Sequence, residues 1–175
     1  MQSSEKYAHN IGETVVYRKQ GIYEIKEIKE QKIGNEKKEY YVLCSVYDAN
    51  SAVYVPVDNL SLTSQIENTL SKEEIHAIID ADEGNDVVWL ENTTERAIHF
   101  DEILKSGNLL KILSLLNMFI ERKNNADKKP YRNFARDEKA FSAALKAVTE
   151  AFAYPLGISK TEVVAYITDR KNNLK

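Results

Sequence analysis

Residues Ile11–Ile25 read IGETVVYRKQGIYEI, and this stretch decides how the first third of the chain folds. Ile11, Val15 and Tyr17 are apolar on one side of the polar link Arg18-Lys19-Gln20-Gly21, and Ile22, Tyr23 and Ile25 on the other. Short runs rich in Val, Ile and Tyr, separated by a polar link with a glycine, read as two β-strands joined by a tight turn.

The same texture continues to residue 62. "GIYEIKEIKEQ", "EYYVLCSVY" and "AVYVPV" are further strand-like runs. "IGNEKK", around Gly34, and "DANS", Asp48–Ser51, are the turns between them. Pro56 cannot donate to a ladder, so it marks an edge or a strand end. Strands this short and closely spaced suit a small, bent antiparallel sheet or an SH3-like barrel.

After residue 68 the period changes. Ser71 and Glu74 form a capping box, followed by Ile75, Ile78 and Ile79 at helical spacing. Asn92 and Glu95 cap a second helix carrying Ala97, Phe100 and Leu104, which Gly107 stops. A third helix begins near Asn108. Its Leu109, Leu110, Ile112, Leu113, Leu116 and Ile120 make it apolar around much of its circumference, so it belongs at the centre of a bundle. "NNADKKPYRN" is a loop. A fourth helix carries Phe141, Ala144, Leu145, Val148 and Phe152, and Pro155 and Gly157 break it. Ser159 and Glu162 form a capping box for a final helix with Val163, Val164 and Ile167. The fold class is therefore α+β: a small bent or SH3-like antiparallel β module over 1–68, then an all-α bundle of about five helices over 69–175.

The 175 residues suffice for one domain or two small ones, and 29% of them are charged, as in ordinary soluble proteins. No apolar run approaches the ~20 residues of a membrane span, and the N-terminus lacks the apolar core of a signal peptide. Cys44, the single cysteine, has no internal disulfide partner and reads as a small buried apolar residue. These features point to the cytoplasm.

The net charge of −3 does not advertise nucleic-acid binding, but the charge is patterned. From Glu73 to Leu104 ten acids face one base, a net of −9; from Lys105 to Lys146 ten bases face four acids, a net of +6. One reading is two solvated helical faces attracting each other. The other is a local positive field that steers a polyanion.

Enzyme chemistry finds little support. His9, His76 and His99 lack Cys or His neighbours at metal spacing, and there is no phosphate-cradling glycine loop or G-x-S-x-G. Each histidine reads as structural or exposed. "DADEGNDVVWLE", Asp80–Glu91, has the length of a calcium loop, with Asp80, Asp82 and Glu91 at positions one, three and twelve. Gly84 and Val88 supply no ligand at five and nine, and Asn85 replaces the turn glycine, so an acidic link between helices is the better reading. Trp89, the only tryptophan, is either a packing anchor or an aromatic placed against a partner or groove.

"IGETVVYRKQGIYEIKEIKEQKIGNEKKEYYVL" followed by "VYVPVDN" resembles the N-terminal module of the CarD/CdnL family of bacterial transcription regulators, shared with the polymerase-interacting domain of the transcription-repair coupling factor. The second half is similar to the helical domain of Firmicutes-type members, through Trp89, "ERAIHFDEILKSGN", the leucine helix, "ARDEKAF" and "AFAYPLGISKTEVVAYI". The resemblance runs from about Ile11 to Ile167. It implies a small Tudor-like β module that docks on the β-subunit lobe of RNA polymerase, through Tyr17, Gln31, Tyr40, Tyr41, Tyr54 and Pro56. It implies a helical domain that contacts promoter DNA near the upstream edge of the bubble and alters open-complex stability. Trp89, Arg96, Arg122, Lys123, Lys128, Lys129, Arg132 and Arg136 would carry that contact, Trp89 as a minor-groove wedge. No cofactor or metal is implied. Three departures stand out. Pro155 interrupts what is usually a longer helix. Gln31 and Tyr54 occupy positions where some members carry lobe-facing arginines. Trp89 lies sixteen residues before Lys105, a longer spacing than members with a well-described wedge; pinned on Ser106-Gly107, the wedge position falls on Thr93.

A polymerase-binding regulator is therefore the leading reading. A protein-binding adaptor without DNA contact is the alternative, and a calcium-binding domain or enzyme is a third. A monomer is expected, and exchange of an edge strand would give a dimer.

Overall fold

In the computed structural model, which describes residues 7–34, 36–48, 50–82, 87–124 and 135–173, the chain divides into two compact units, Met1–Thr69 and Leu70–Lys175. The first holds strands β1 (Thr14–Tyr17), β2 (Gln20–Ile33), β3 (Glu36–Ser45), β4 (Ala52–Pro56) and β5 (Ile66–Asn68), with a short helix α1 (Leu60–Thr63) before β5. They form one antiparallel sheet in the order β4-β3-β2-β1-β5. The second holds α2 (Lys72–Ala81), α3 (Thr93–Ser106), α4 (Leu109–Asn124), α5 (Ala135–Leu156) and α6 (Val163–Asn173). The architecture is α+β, as the change of period implies.

The β1–β2 turn is tighter than the glycine suggests. Arg18 and Lys19 alone make it, with φ of 53° and 55°, and Gln20 and Gly21 already lie in β2. Positive φ at both central residues is the hairpin geometry that matches strand twist, normally filled by Asn-Gly. Here two side chains with a Cβ occupy it.

The spacing Ile22-x-x-Ile25-x-x-Ile28 cannot alternate cleanly between two faces. A bulge resolves it: Ile25 pairs with Leu43 and Glu27 with Val42, leaving Lys26 over. The extra residue returns Ile28 to the face of Ile25. That face packs Val15, Tyr17, Ile25, Tyr41, Leu43, Val55 and Ile66 as the core, with Tyr23, Ile28 and Val53 against it. β5 carries only Ile66 into this core, which is why a three-residue edge strand leaves no clear periodic signal in the sequence.

In the helical unit the caps form as read. Ser71 Oγ accepts from the Glu74 N–H, and Glu74 Oε2 accepts from the Ser71 N–H at 2.7 Å. Asn92 Oδ1 accepts from Thr94 and Glu95, and Gly107 closes α3 at φ 66°. The exposed carboxyl of Glu74 is held below its ordinary range by the Ser71 hydrogen bonds. α4 buries Ile112 to Leu116, Met118 and Phe119, and packs against α2, α3 and α5. Pro155 does not break α5. The helix runs through it to Leu156 and ends at Gly157, φ 67°. A proline in the last turn forfeits a single i→i−4 bond, so the stop falls to the left-handed glycine. Ser159 and Glu162 pair as a box, but a turn intervenes and α6 starts at Val163.

Candidate functional site

The register of the sheet sorts the six residues expected to face polymerase. Lys29 pairs with Tyr40 and Tyr40 with Pro56, while Gln31 pairs with Lys38 and Val42 with Tyr54. Side chains alternate with period two, so Gln31, Tyr40, Tyr54 and Pro56 share the face opposite the core, although Tyr40 is itself buried there at 9% exposure. Tyr54 is 47% exposed there. Tyr17 and Tyr41 are corrected. They point into the core, Tyr41 at 0% exposure, and the Tyr41 hydroxyl accepts from the His9 N–H at 3.4 Å. The run Tyr40-Tyr41 alternates like any strand pair, so only one of the two could face outward. Cys44 also lies on the outer face, opposite Ala52, and is half-buried rather than enclosed.

β4 is an edge strand. The Ser45 N–H donates to the Ser51 carbonyl and the Val57 N–H to the Glu39 carbonyl, both at 2.9 Å. With antiparallel pairs alternating, Val53 and Val55 aim their backbone groups at β3, and Ala52 and Tyr54 aim theirs at the free side. Such an edge is a template for another strand. Leu60, in α1 just beyond β4, is 81% exposed.

In the helical unit, four of the residues expected at DNA are drawn together by packing. Trp89 is half-buried, with Phe100 and Phe119 at 6.0 and 6.2 Å between ring centroids. The Arg96 and Arg122 guanidiniums lie 4.1 and 3.9 Å from its ring centroid. Arg96 is enclosed. Its Nε and Nη2 donate to Asp137 at 3.2 and 2.9 Å, and its Nη1 to the Leu90 and Glu91 carbonyls at 2.6 and 3.2 Å. A guanidinium so engaged is a packing and hydrogen-bonding hub, not an exposed phosphate contact, and Arg96 is corrected accordingly. Trp89 packs against this cluster and stays half-buried. Lys123 sits 3.7 Å from the Phe141 ring centroid and 3.7 Å from Glu138. Lys128, Lys129 and Arg132 lie outside the described residues.

Arg136 is exposed at the start of α5. Lys139 and Lys146, also exposed, follow at i+3 and i+10, so the three share one helical stripe about 15 Å long. Among the described residues none of the three has an ion-pair partner. The signal for Lys139 and Lys146 was their spacing from Arg136, opposite the buried stripe of Ala140, Ala144 and Val148. Among the described residues, the ion pair joining an acid of 73–104 to a base of 105–146 is Asp101–Lys105, within α3 itself. Glu91, Glu95 and Glu102 are exposed.

Asp80 and Asp82 are occupied, which removes two carboxylates from the calcium reading. Asp80 accepts two bonds from Arg170, at 2.7 and 2.5 Å, and these hold its carboxyl below the ordinary range. Burial alone would raise the Asp82 carboxyl; bonds from Lys171, Ser114 and Asn117 outweigh that and depress it. Residues 83–86 of the same stretch lie outside the described residues. His76 meets the Tyr166 hydroxyl at 2.6 Å in the same α2–α6 contact.

With the β4 edge and its outer face described, the comparison with known families becomes informative. Residues 9–68 match the CarD-like/TRCF RID domain. This RID domain is a protein-interaction domain, and the match supports a transcription-associated, RNA-polymerase-binding role for the β unit. It ends before α2 and says nothing of the helices. No curated protein matches the chain. No helix among the described residues is long and apolar enough to cross a membrane.

Proposed function

We propose that this protein is a transcription regulator that docks on the β-subunit lobe of bacterial RNA polymerase and contacts promoter DNA near the upstream edge of the bubble. The observation that carries the docking half is the RID match over a unit whose register puts Gln31, Tyr40, Tyr54 and Pro56 on one face beside a free strand edge. The DNA half rests on the exposed stripe Arg136, Lys139 and Lys146, with Lys128, Lys129 and Arg132 close in sequence. Such cations would bind phosphates without reading sequence. Tethering to polymerase supplies effective concentration, so weak intrinsic affinity suffices, even for a chain of net charge −3. Open-complex stability then changes by the difference in affinity for the open and closed forms.

The adaptor reading draws on the internal engagement of Trp89, Arg96, Arg122 and Lys123, which leaves fewer cations for DNA. Charge reversal separates the two readings. With Arg136→Glu, Lys139→Glu and Lys146→Glu together, the full chain should still co-purify with core polymerase but lose its effect on open-complex lifetime. An unchanged lifetime effect would favour the adaptor. Failure of the unaltered chain to bind polymerase would remove the regulator reading and leave an adaptor for a different protein partner.

A further inference from the structure

We infer that the docking face of the β unit is built for an uncharged partner strand, so that polymerase binding by this chain is insensitive to salt. This rests on the docking reading above and specifies the chemistry of that contact. The outer face of β4 and of the stretch of β3 paired with it comprises Tyr40, Val42, Cys44, Ala52, Tyr54 and Pro56, with no charged side chain among them; Tyr40 and Val42 are buried there, and Lys38 follows on the same face opposite Gln31. From Tyr40 to Val57 the only charged residue is Asp48, in the turn away from the strand centres. The neighbouring strands add no net field. From Glu24 to Glu39 there are five acids and five bases, and several pair locally: Lys26 with Glu24 at 2.6 Å, Lys37 with Glu30 at 2.7 Å, Lys38 with Glu36 at 3.7 Å. Alternating, self-paired charge of net zero neither steers a charged partner nor is screened when salt rises.

The edge itself narrows the occupant further. Ala52 and Tyr54 present backbone groups to the free side, and Pro56 has no N–H to offer. An added strand therefore gains a ladder about two residues long. Most of the affinity must come from side chains, with half-exposed Tyr54 at the centre and Leu60 beyond the strand end. The partner that fits is an exposed sheet edge bearing apolar or aromatic side chains. An acidic lobe surface or a polyanion has no counter-charge along β4.

The test is a titration of the full chain with bacterial core RNA polymerase, without DNA, between about 50 and 500 mM salt. The dissociation constant should move by less than about twofold across that range, and the association rate should stay flat. Tyr54→Ala should weaken binding about tenfold or more at every salt concentration. A rise in Kd of more than about tenfold with salt would overturn the inference while leaving docking itself intact. Absence of binding at all salt concentrations would overturn the docking reading, and this inference with it.

Discussion

Asp137→Ala is the substitution with the most to say about the helical unit. The Arg96 and Asp137 side chains are each 2% exposed and joined by two hydrogen bonds. Taking away the carboxylate leaves a buried guanidinium facing the Leu90 and Glu91 carbonyls and the Trp89 ring. Breaking one side of such a pair costs about 3–5 kcal/mol. Against a total stability of about 5–15 kcal/mol, that is a large share. For a unit near 100 residues it lowers the midpoint by about 15 °C or more. Replacing both partners with apolar side chains, Arg96→Met with Asp137→Leu, buries no charge and should cost much less than Asp137→Ala alone. Arg96→Lys should recover little, because an ammonium cannot reproduce the two-pronged bond. Trp89 is the only tryptophan and lies in this cluster, so urea unfolding followed by its fluorescence reports the helical unit directly. The reasoning fails if Asp137→Ala stays within about 1 kcal/mol of the unaltered chain, or if the apolar pair is no better than the single change. An Arg96→Ala protein of full stability that has lost DNA binding would return Arg96 to the phosphate-contacting set.

Two further predictions concern the turn and the α2–α6 contact. Arg18→Asn with Lys19→Gly relieves positive φ at both turn positions and should stabilise the β unit by about 1 kcal/mol, seen as a higher calorimetric midpoint; no gain would mean that the turn holds no strain. The carboxyls of Asp80 and Asp82 are depressed in the fold, so their contribution is complete above the ordinary carboxylate range of about 4 and is lost as pH falls through the depressed values. The Trp89 unfolding midpoint should therefore drop on acidification, and Asp82→Asn should flatten that drop; an identical pH profile in the variant would refute the assignment.

The sequence declared its strands, caps and helix stripes because each rests on local chemistry. Ser71-x-x-Glu74 and Asn92-x-x-Glu95 satisfy orphan N–H groups within one turn, so spacing alone identifies them. β5 escaped because a single buried residue, Ile66, sets no period. Pro155 misled because proline ends a helix only where the lost bond and the clash are not confined to the last turn.

The candidate faces divide along the same line. Charge runs, the lone tryptophan, the edge proline and the low charge of Tyr40–Val57 are properties of the chain, fixed before it folds. Which tyrosine faces outward was not, because a bulge at Lys26 and the pairing of β3 with β4 set the register, and a shift of one residue inverts every side chain. Nor did the sequence reveal that Arg96, in the acidic stretch, would meet Asp137, in the basic one, 41 positions away. Charge counts describe the field that a solvated chain carries. Burial decides which charges must find partners, and that follows only from how α3 and α5 pack.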